Sequence, residues 1–234
     1  MIRAIIFDFG GVLLKRKIGR DLITILANVI SQSPDVIKPL WEKHHSNLLT
    51  GNITTKEFVR ILANELNYPD DSNKIYSEWA NKAGITKRSI NCSLLNLIRT
   101  LRQKYKVYVL SNMIDLAEKD KALTPLKKNF NEYFTSYRLG SRKPQPEIFR
   151  KLLAKINLRS DECIFIDDDE KNITASASLG FHSIQYENVR KLKTILSRRH
   201  LFPIHHRVGE WLGGVEDEER IPDKGDSGGR IADA

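Results

Sequence analysis

The stretch that decides the fold is Ala4-Ile5-Ile6-Phe7-Asp8-Phe9-Gly10-Gly11. Its first four residues form a short apolar run with β-branched members, and the run stops at an acid followed closely by glycines. That pattern reads as a buried strand ending in a tight loop. The arrangement recurs twice: Val107-Tyr108-Val109-Leu110 precedes Ser111-Asn112, and Cys163-Ile164-Phe165-Ile166 precedes Asp167-Asp168-Asp169. Between these runs, Leu94, Leu95, Ile98 and Leu101, then Ile148, Phe149, Leu152, Leu153 and Ile156, repeat at helical spacings of three and four. Strand and helix in alternation predict an α/β fold on a parallel sheet. In such open sheets ligands bind beyond the carboxyl ends of the strands, where all three runs deliver polar residues.

Residues 15–85 break the alternation and read as helices only. Leu22, Ile25, Leu26, Val29 and Ile30 form one apolar stripe, and Phe58, Ile61 and Leu62 another. Ser33-Pro34 supplies a cap and a first-turn proline, and Thr54-Thr55-Lys56-Glu57 a capping box after a stop at Gly51. The expected organisation is therefore a core of residues 1–14 and 86–200, an inserted α-helical cap over 15–85, and a tail over 201–234. The tail gathers glycines and acids without an apolar period, so it is expected to be flexible. In residues 216–234 seven acids face Arg220, Lys224 and Arg230, a balance of −4 that leaves +13 on the rest of a chain of net charge +9.

With 41% hydrophobic and 29% charged residues, the 234-residue chain has the balance of an ordinary globular protein. No apolar run approaches the roughly 20 residues that span a bilayer, and no cleavable leader is recognisable, so a cytoplasmic protein without a membrane partner is expected. No stripe of aromatic and basic residues accompanies the positive charge, which excludes a nucleic-acid module and leaves a basic surface that attracts small anions. Cys92 and Cys163 are far apart and each sits in an apolar pattern, so both are expected to be reduced core thiols. His44 and His45 point about 100° apart on a helix, which argues against a metal pair and for surface histidines. Lys15-Arg16-Lys17 reads as a solvated basic face.

Transferring a phosphoryl group needs a nucleophile, a divalent cation against the charge on the phosphate oxygens, and donors that hold those oxygens in line. Asp8 is a candidate nucleophile or metal ligand, the Asp167-Asp168-Asp169 cluster a candidate cation site with hard oxygen ligands, and Ser111 and Lys143 candidate phosphate holders. Each acid alone marks a helix cap as readily as a site. Asp169 and Glu170 in particular suit the positive end of a following helix.

Taken in order, these residues resemble the haloacid dehalogenase-like superfamily across roughly residues 1–196. Phe7-Asp8-Phe9-Gly10-Gly11-Val12-Leu13 looks like its first motif and Val109-Leu110-Ser111-Asn112 its second. The stretch Ser141-Arg142-Lys143-Pro144-Gln145-Pro146-Glu147-Ile148-Phe149 is similar to the third, and Phe165-Ile166-Asp167-Asp168-Asp169-Glu170-Lys171-Asn172-Ile173 to the fourth. The resemblance implies a Rossmann-like parallel sheet with an inserted α-helical cap, and a Mg²⁺-dependent phosphatase acting on a small phosphate monoester. It also implies roles. Asp8 attacks phosphorus and becomes an aspartyl phosphate, Ser111 and the Asn112 backbone hold the phosphate, and Lys143 neutralises charge. Asp168 binds Mg²⁺ with Asp8 and the Gly10 carbonyl, Asp167 either stands behind those ligands or serves as an auxiliary ligand, and Asn172 orients the loop.

One position departs from the pattern. Most phosphatases of this superfamily carry a second Asp two residues after the nucleophile as general acid and base, and here that residue is Gly10. General acid–base help is worth about 10²–10⁴-fold, so its loss slows turnover without preventing attack on phosphorus. The branch resembling bacterial glucose-1-phosphate phosphatase also has Gly there, which puts a sugar phosphate among the candidate substrates. Two rivals follow. A 2-haloacid dehalogenase uses the same nucleophile on carbon but gains nothing from an acidic cluster beside a carboxylate substrate. A weakened phosphate- or partner-binding protein would bind without turnover.

Overall fold

The computed structural model describes residues 1–14, 19–68, 71–83, 90–118, 120 and 123–202, with residues 19–21 and 118 described by their backbone alone. Five strands form one sheet: β1 (Ala4–Phe7), β2 (Lys106–Ser111), β3 (Glu132–Thr135), β4 (Cys163–Asp167) and β5 (His182–Gln185). They run parallel in the order β3-β2-β1-β4-β5, which puts β1 at the centre. Alternate residues serve opposite faces. Ile5, Phe7, Val107, Val109, Ile164 and Ile166 enter one apolar cluster, and Ala4, Ile6, Tyr108, Leu110 and Phe165 enter the other. Helices cover both faces: α5 (Cys92–Leu101) and α11 (Val189–Arg198) on the first, α9 (Pro146–Ile156) on the second. Strands buried on both sides are why β1 and β4 read as unbroken apolar runs.

β3 and β5 are strands that the apolar runs do not announce. Each has four residues, lies at an edge, and carries exposed polar residues such as Glu132 and His182. The register then fixes the working edge. Phe7 stands opposite Val109 on one side and Ile166 on the other, so Asp8, Ser111 and Asp167 leave the sheet together at its carboxyl end.

Among the described residues between β1 and α5 lie four helices, α1 (Gly19–Val29), α2 (Pro34–Thr50), α3 (Thr55–Glu65) and α4 (Ser72–Lys82). Their ends follow the sequence signals. Ser33 accepts from the Asp35 N–H with Pro34 at the first turn, and Thr54 and Glu57 cap α3 reciprocally. Gly51 ends α2 in the left-handed region at φ 70°, and a Cβ there would lie 2.3 Å from the Tyr137 carbonyl oxygen. Only glycine allows both the turn and that close approach of α2 to α8 (Ser136–Leu139). Inside the helices, Trp41 meets Phe58 and Trp79 edge-on, with ring centroids 5.6 and 6.2 Å apart, and the buried Trp79 Nε1–H donates to the Leu22 carbonyl at 3.0 Å. This apolar cluster continues without a break into Phe9, Val12 and Leu13 after β1.

The expected cap boundaries fall on residues 15–18 and 84–89, outside the described residues, as do Lys15-Arg16-Lys17 and the tail from residue 203. Among the described residues no helix is long and apolar enough to cross a membrane. One thiol departs from expectation. Cys163 is a core residue of β4 whose thiol burial pushes up to about 12, whereas Cys92 is exposed, because it starts α5 on the side away from the sheet.

The indole bond ties α4 to α1 inside the apolar cluster, so its removal should be felt in stability. Trp79→Phe should lower the free energy of unfolding by about 1–3 kcal/mol, measured by urea denaturation, through loss of a buried hydrogen bond and part of the ring. A change within about 0.5 kcal/mol, the range of a surface substitution, would mean that these helices do not depend on it.

Candidate active site

Asp8 is the first residue past β1, and its N–H is held by the Ile166 carbonyl at 2.8 Å, so the ladder between β1 and β4 extends one step to fix its backbone. Asp167 ends β4 facing it. Asp167 Oδ1 accepts from the Asp169 N–H at 2.9 Å, and Asn172 Nδ2 donates to both Asp167 oxygens at 3.1 Å. Asp169 in turn caps α10 (Glu170–Ser178) by accepting from the Lys171 N–H. The acids after β4 thus divide their work: one caps the helix, one is locked in place by the loop, and Asp168 faces the first loop.

Lys143 comes from the segment between α8 and α9. The Asn112 side chain clamps its backbone at both ends, accepting from the Lys143 N–H at 2.8 Å and donating to the Lys143 carbonyl at 2.9 Å. The ammonium reaches inward and donates to Asp8 Oδ1 at 2.5 Å and to Asp167 Oδ2 at 2.6 Å. Lys143 and Asp167 are 2% and 1% exposed, so this is a fully desolvated bridge. Burial alone would lower the Lys143 pKa, but the two carboxylates outweigh it and hold the ammonium above its ordinary range. Burial is also the largest influence on Asp8 and raises it. Lys143 works against that rise and repulsion from Asp167 adds to it, leaving the carboxyl at about 6.

Carboxylate oxygens of Asp8, Asp167 and Asp168 lie within 4.8 Å of one another, a donor set of hard oxygens that fits Mg²⁺. Glycine makes the third member possible. Gly11 has φ 96°, and a Cβ there would stand 2.5 Å from Asp168 Oδ2. The first loop therefore accepts the Asp168 carboxylate only because the second glycine has no side chain.

Asp8, Gly10, Ser111, Asn112, Lys143, Asp167 and Asp168, with Asp169 and Asn172, all border one cavity of about 300 Å³. Three neighbours were not legible from motifs: Trp41, His45 and Leu49 line it from α2. Their i, i+4, i+8 spacing put them on one helix face, a signal available in the sequence. His45 is accordingly not a surface histidine. It is half-buried and stacked on Trp41 with ring centroids 5.3 Å apart. Burial and, less strongly, the Arg142 charge hold its imidazole below the ordinary range.

Known proteins agree with this architecture. A family model described as haloacid dehalogenase-like hydrolase matches residues 2–180. The chain is 29% identical over 203 residues to D-ribitol-5-phosphate phosphatase of Bacteroides thetaiotaomicron, covering 80% of this chain and 93% of that protein. Two solved structures share the fold. A HAD family enzyme of Bacteroides thetaiotaomicron, in complex with magnesium and inorganic phosphate, superposes with TM-score 0.64 at 24% identity, over 82% of this chain and 99% of that one. A HAD-like family hydrolase of Porphyromonas gingivalis does so with TM-score 0.65 at 24% identity, over 86% and 98%. Sheet order, the four motifs at its carboxyl edge and a family match over most of the chain lead to one conclusion: the protein belongs to the haloacid dehalogenase-like hydrolases.

Proposed function

We propose that this hydrolase is a Mg²⁺-dependent phosphatase that cleaves a small phosphate monoester through a phosphoaspartyl intermediate on Asp8. The observation that carries the reading is the charge of the cluster. Among the described residues Asp8 and Asp167 share one buried ammonium, Lys143, and Asp168 lies beside them, which gathers carboxylates where a phosphate dianion has to arrive. Asp8, Asp168, Asp167 and the Gly10 carbonyl would hold a hard dication there, and such an ion would offset their charge and draw charge from the phosphate oxygens. A 2-haloacid dehalogenase uses no cation, so acids clustered beside its carboxylate substrate would stand without counter-charge, which weighs against haloacid chemistry. The phosphatase relative and the magnesium and phosphate bound in a solved neighbour support the reading.

The residues divide the reaction as follows. Lys143 engages Oδ1 of Asp8 and leaves the other carboxylate oxygen to attack phosphorus. The Ser111 hydroxyl and the Asn112 backbone N–H hold the phosphoryl oxygens in line. As the bond from phosphorus to Asp8 forms, the bond to the ester oxygen breaks, and that oxygen takes a proton. Water then attacks phosphorus, gives up a proton to solvent, and releases Asp8 as carboxylate together with inorganic phosphate. Gly10 brings no acid to the departing oxygen, so that oxygen takes its proton from water and release of a basic alkoxide is slowed rather than prevented. Helices α1–α4 act as the cap that excludes water from these steps. The ribitol-phosphate relative supports a sugar or polyol phosphate as substrate.

Two measurements test this. In a screen of phosphate esters with Mg²⁺, Asp8→Asn should reduce phosphate release at least about 10³-fold while the chain stays folded by circular dichroism, because an amide cannot attack phosphorus. Activity within tenfold of wild type would remove Asp8 as nucleophile.

The second measurement concerns the metal. A carboxyl that titrates near pH 6 is protonated below that pH and must release its proton to bind a cation, so calorimetric Mg²⁺ affinity should rise from pH 5 to pH 7.5. Gly11→Ala, which pushes a Cβ into Asp168, should weaken that affinity by about tenfold or more at both pH values. Equal affinity at the two pH values, or a Gly11→Ala protein that binds like wild type, would place the cation elsewhere.

A further inference from the structure

Arg142 stands beside Lys143 and borders the same cavity, yet it takes no part in the charge cluster. Its backbone N–H donates to Gln145 Oε1 at 3.1 Å, a contact shared with the Ser141 hydroxyl, and this fixes the start of the side chain. The guanidinium itself has no carboxylate partner among the described residues, and its Nε–H is buried without an acceptor. A desolvated N–H left unpaired is costly, and such groups in folded proteins are normally satisfied. The edge formed by Nε and one terminal nitrogen is a side-on fork that matches the two oxygens of a carboxylate. His45 borders the same cavity, within reach of the Arg142 charge and stacked on Trp41. A cavity of about 300 Å³ that also admits a phosphoryl group leaves room for a short carbon chain against Trp41 and Leu49.

We propose that Arg142, with His45 on the same cavity, is a specificity-determining residue that binds a carboxylate on the leaving group, so that the preferred substrate is a short phosphorylated hydroxy acid such as an aldonate phosphate. The inference rests on the phosphatase reading and narrows its substrate class. Arg142 acts on the part of the substrate that departs, whereas Lys143 acts on the part that is transferred. His45 adds an N–H to the same carboxylate, and the Trp41 face packs against the carbon chain.

The test compares two esters that differ only in the carboxylate, a four-carbon aldonate 4-phosphate and the matching alditol 4-phosphate. Wild type should favour the aldonate ester by about tenfold or more in kcat/KM, and Arg142→Gln should bring that ratio to about one. A ratio is unaffected by partial unfolding of the variant. A wild-type ratio near one, or a ratio that survives Arg142→Gln, would overturn the proposal and assign Arg142 to the phosphoryl group or to the fold. Calorimetry on Asp8→Asn, with and without Arg142→Gln, separates the two layers of the argument. Carboxylate-dependent binding that Arg142→Gln removes, in a chain whose wild type turns over neither ester, would retain the recognition site and sink the phosphatase reading. Turnover of both esters without discrimination would do the reverse.

Discussion

The Lys143 ammonium, shared between Asp8 and Asp167, is the interaction on which the rest of the site depends. Burying three charged groups costs several kcal/mol per ion unless each is paired with good geometry. Here each is: the two carboxylates reach the same nitrogen at 2.5 and 2.6 Å, and Asn172 and the Asp169 N–H satisfy the remaining oxygens of Asp167. Removing the ammonium would leave two carboxylates facing each other in a desolvated place. The backbone clamp by Asn112 therefore matters as much as the charge, because it sets where a long flexible side chain starts.

Around that bridge the fold acts as a positioning device. The parallel register delivers Asp8 and Asp167 from adjacent strands, and Ser111 from the other neighbour of β1, so the groups converge without any long loop. The glycine turn after Asp8 brings Asp168 against the first loop. On the other side, α2 is held at a close glycine contact with α8 and by an aromatic cluster continuous with the sheet's own core. A helical layer anchored this way presents Trp41 and His45 to the same space that the sheet fills with acids.

How much of this was legible in the sequence follows from where burial writes its pattern. β1 and β4 are covered on both faces and so appear as apolar runs, and the helices that cover them show their spacing plainly. Edge strands β3 and β5 are short and partly polar, and nothing in Glu132–Thr135 or His182–Gln185 distinguishes them from loop. The site residues on motifs were legible because strand, turn and acid occur together in order. Arg142 was legible only as a neighbour of the motif lysine and not as a cavity residue, and His45 not at all, since a histidine pair in a helix is ordinary on surfaces. The packing of α2 over the sheet edge brings His45 to the cavity. Cys92 misled for the converse reason: its neighbours in sequence are apolar, but it begins its helix on the exposed side.

The central claim is that Asp8, held by Lys143, carries the phosphoryl group. Its most direct test is a single-turnover reaction with a phosphate ester and Mg²⁺, quenched in acid and followed by peptide mapping of the bound phosphoryl group. The account predicts a transient phosphoryl adduct on the peptide containing Asp8, released by hydroxylamine as an acyl phosphate should be and formed no more slowly than product. Steady turnover with no adduct at any time, or an adduct confined to another residue, would contradict it.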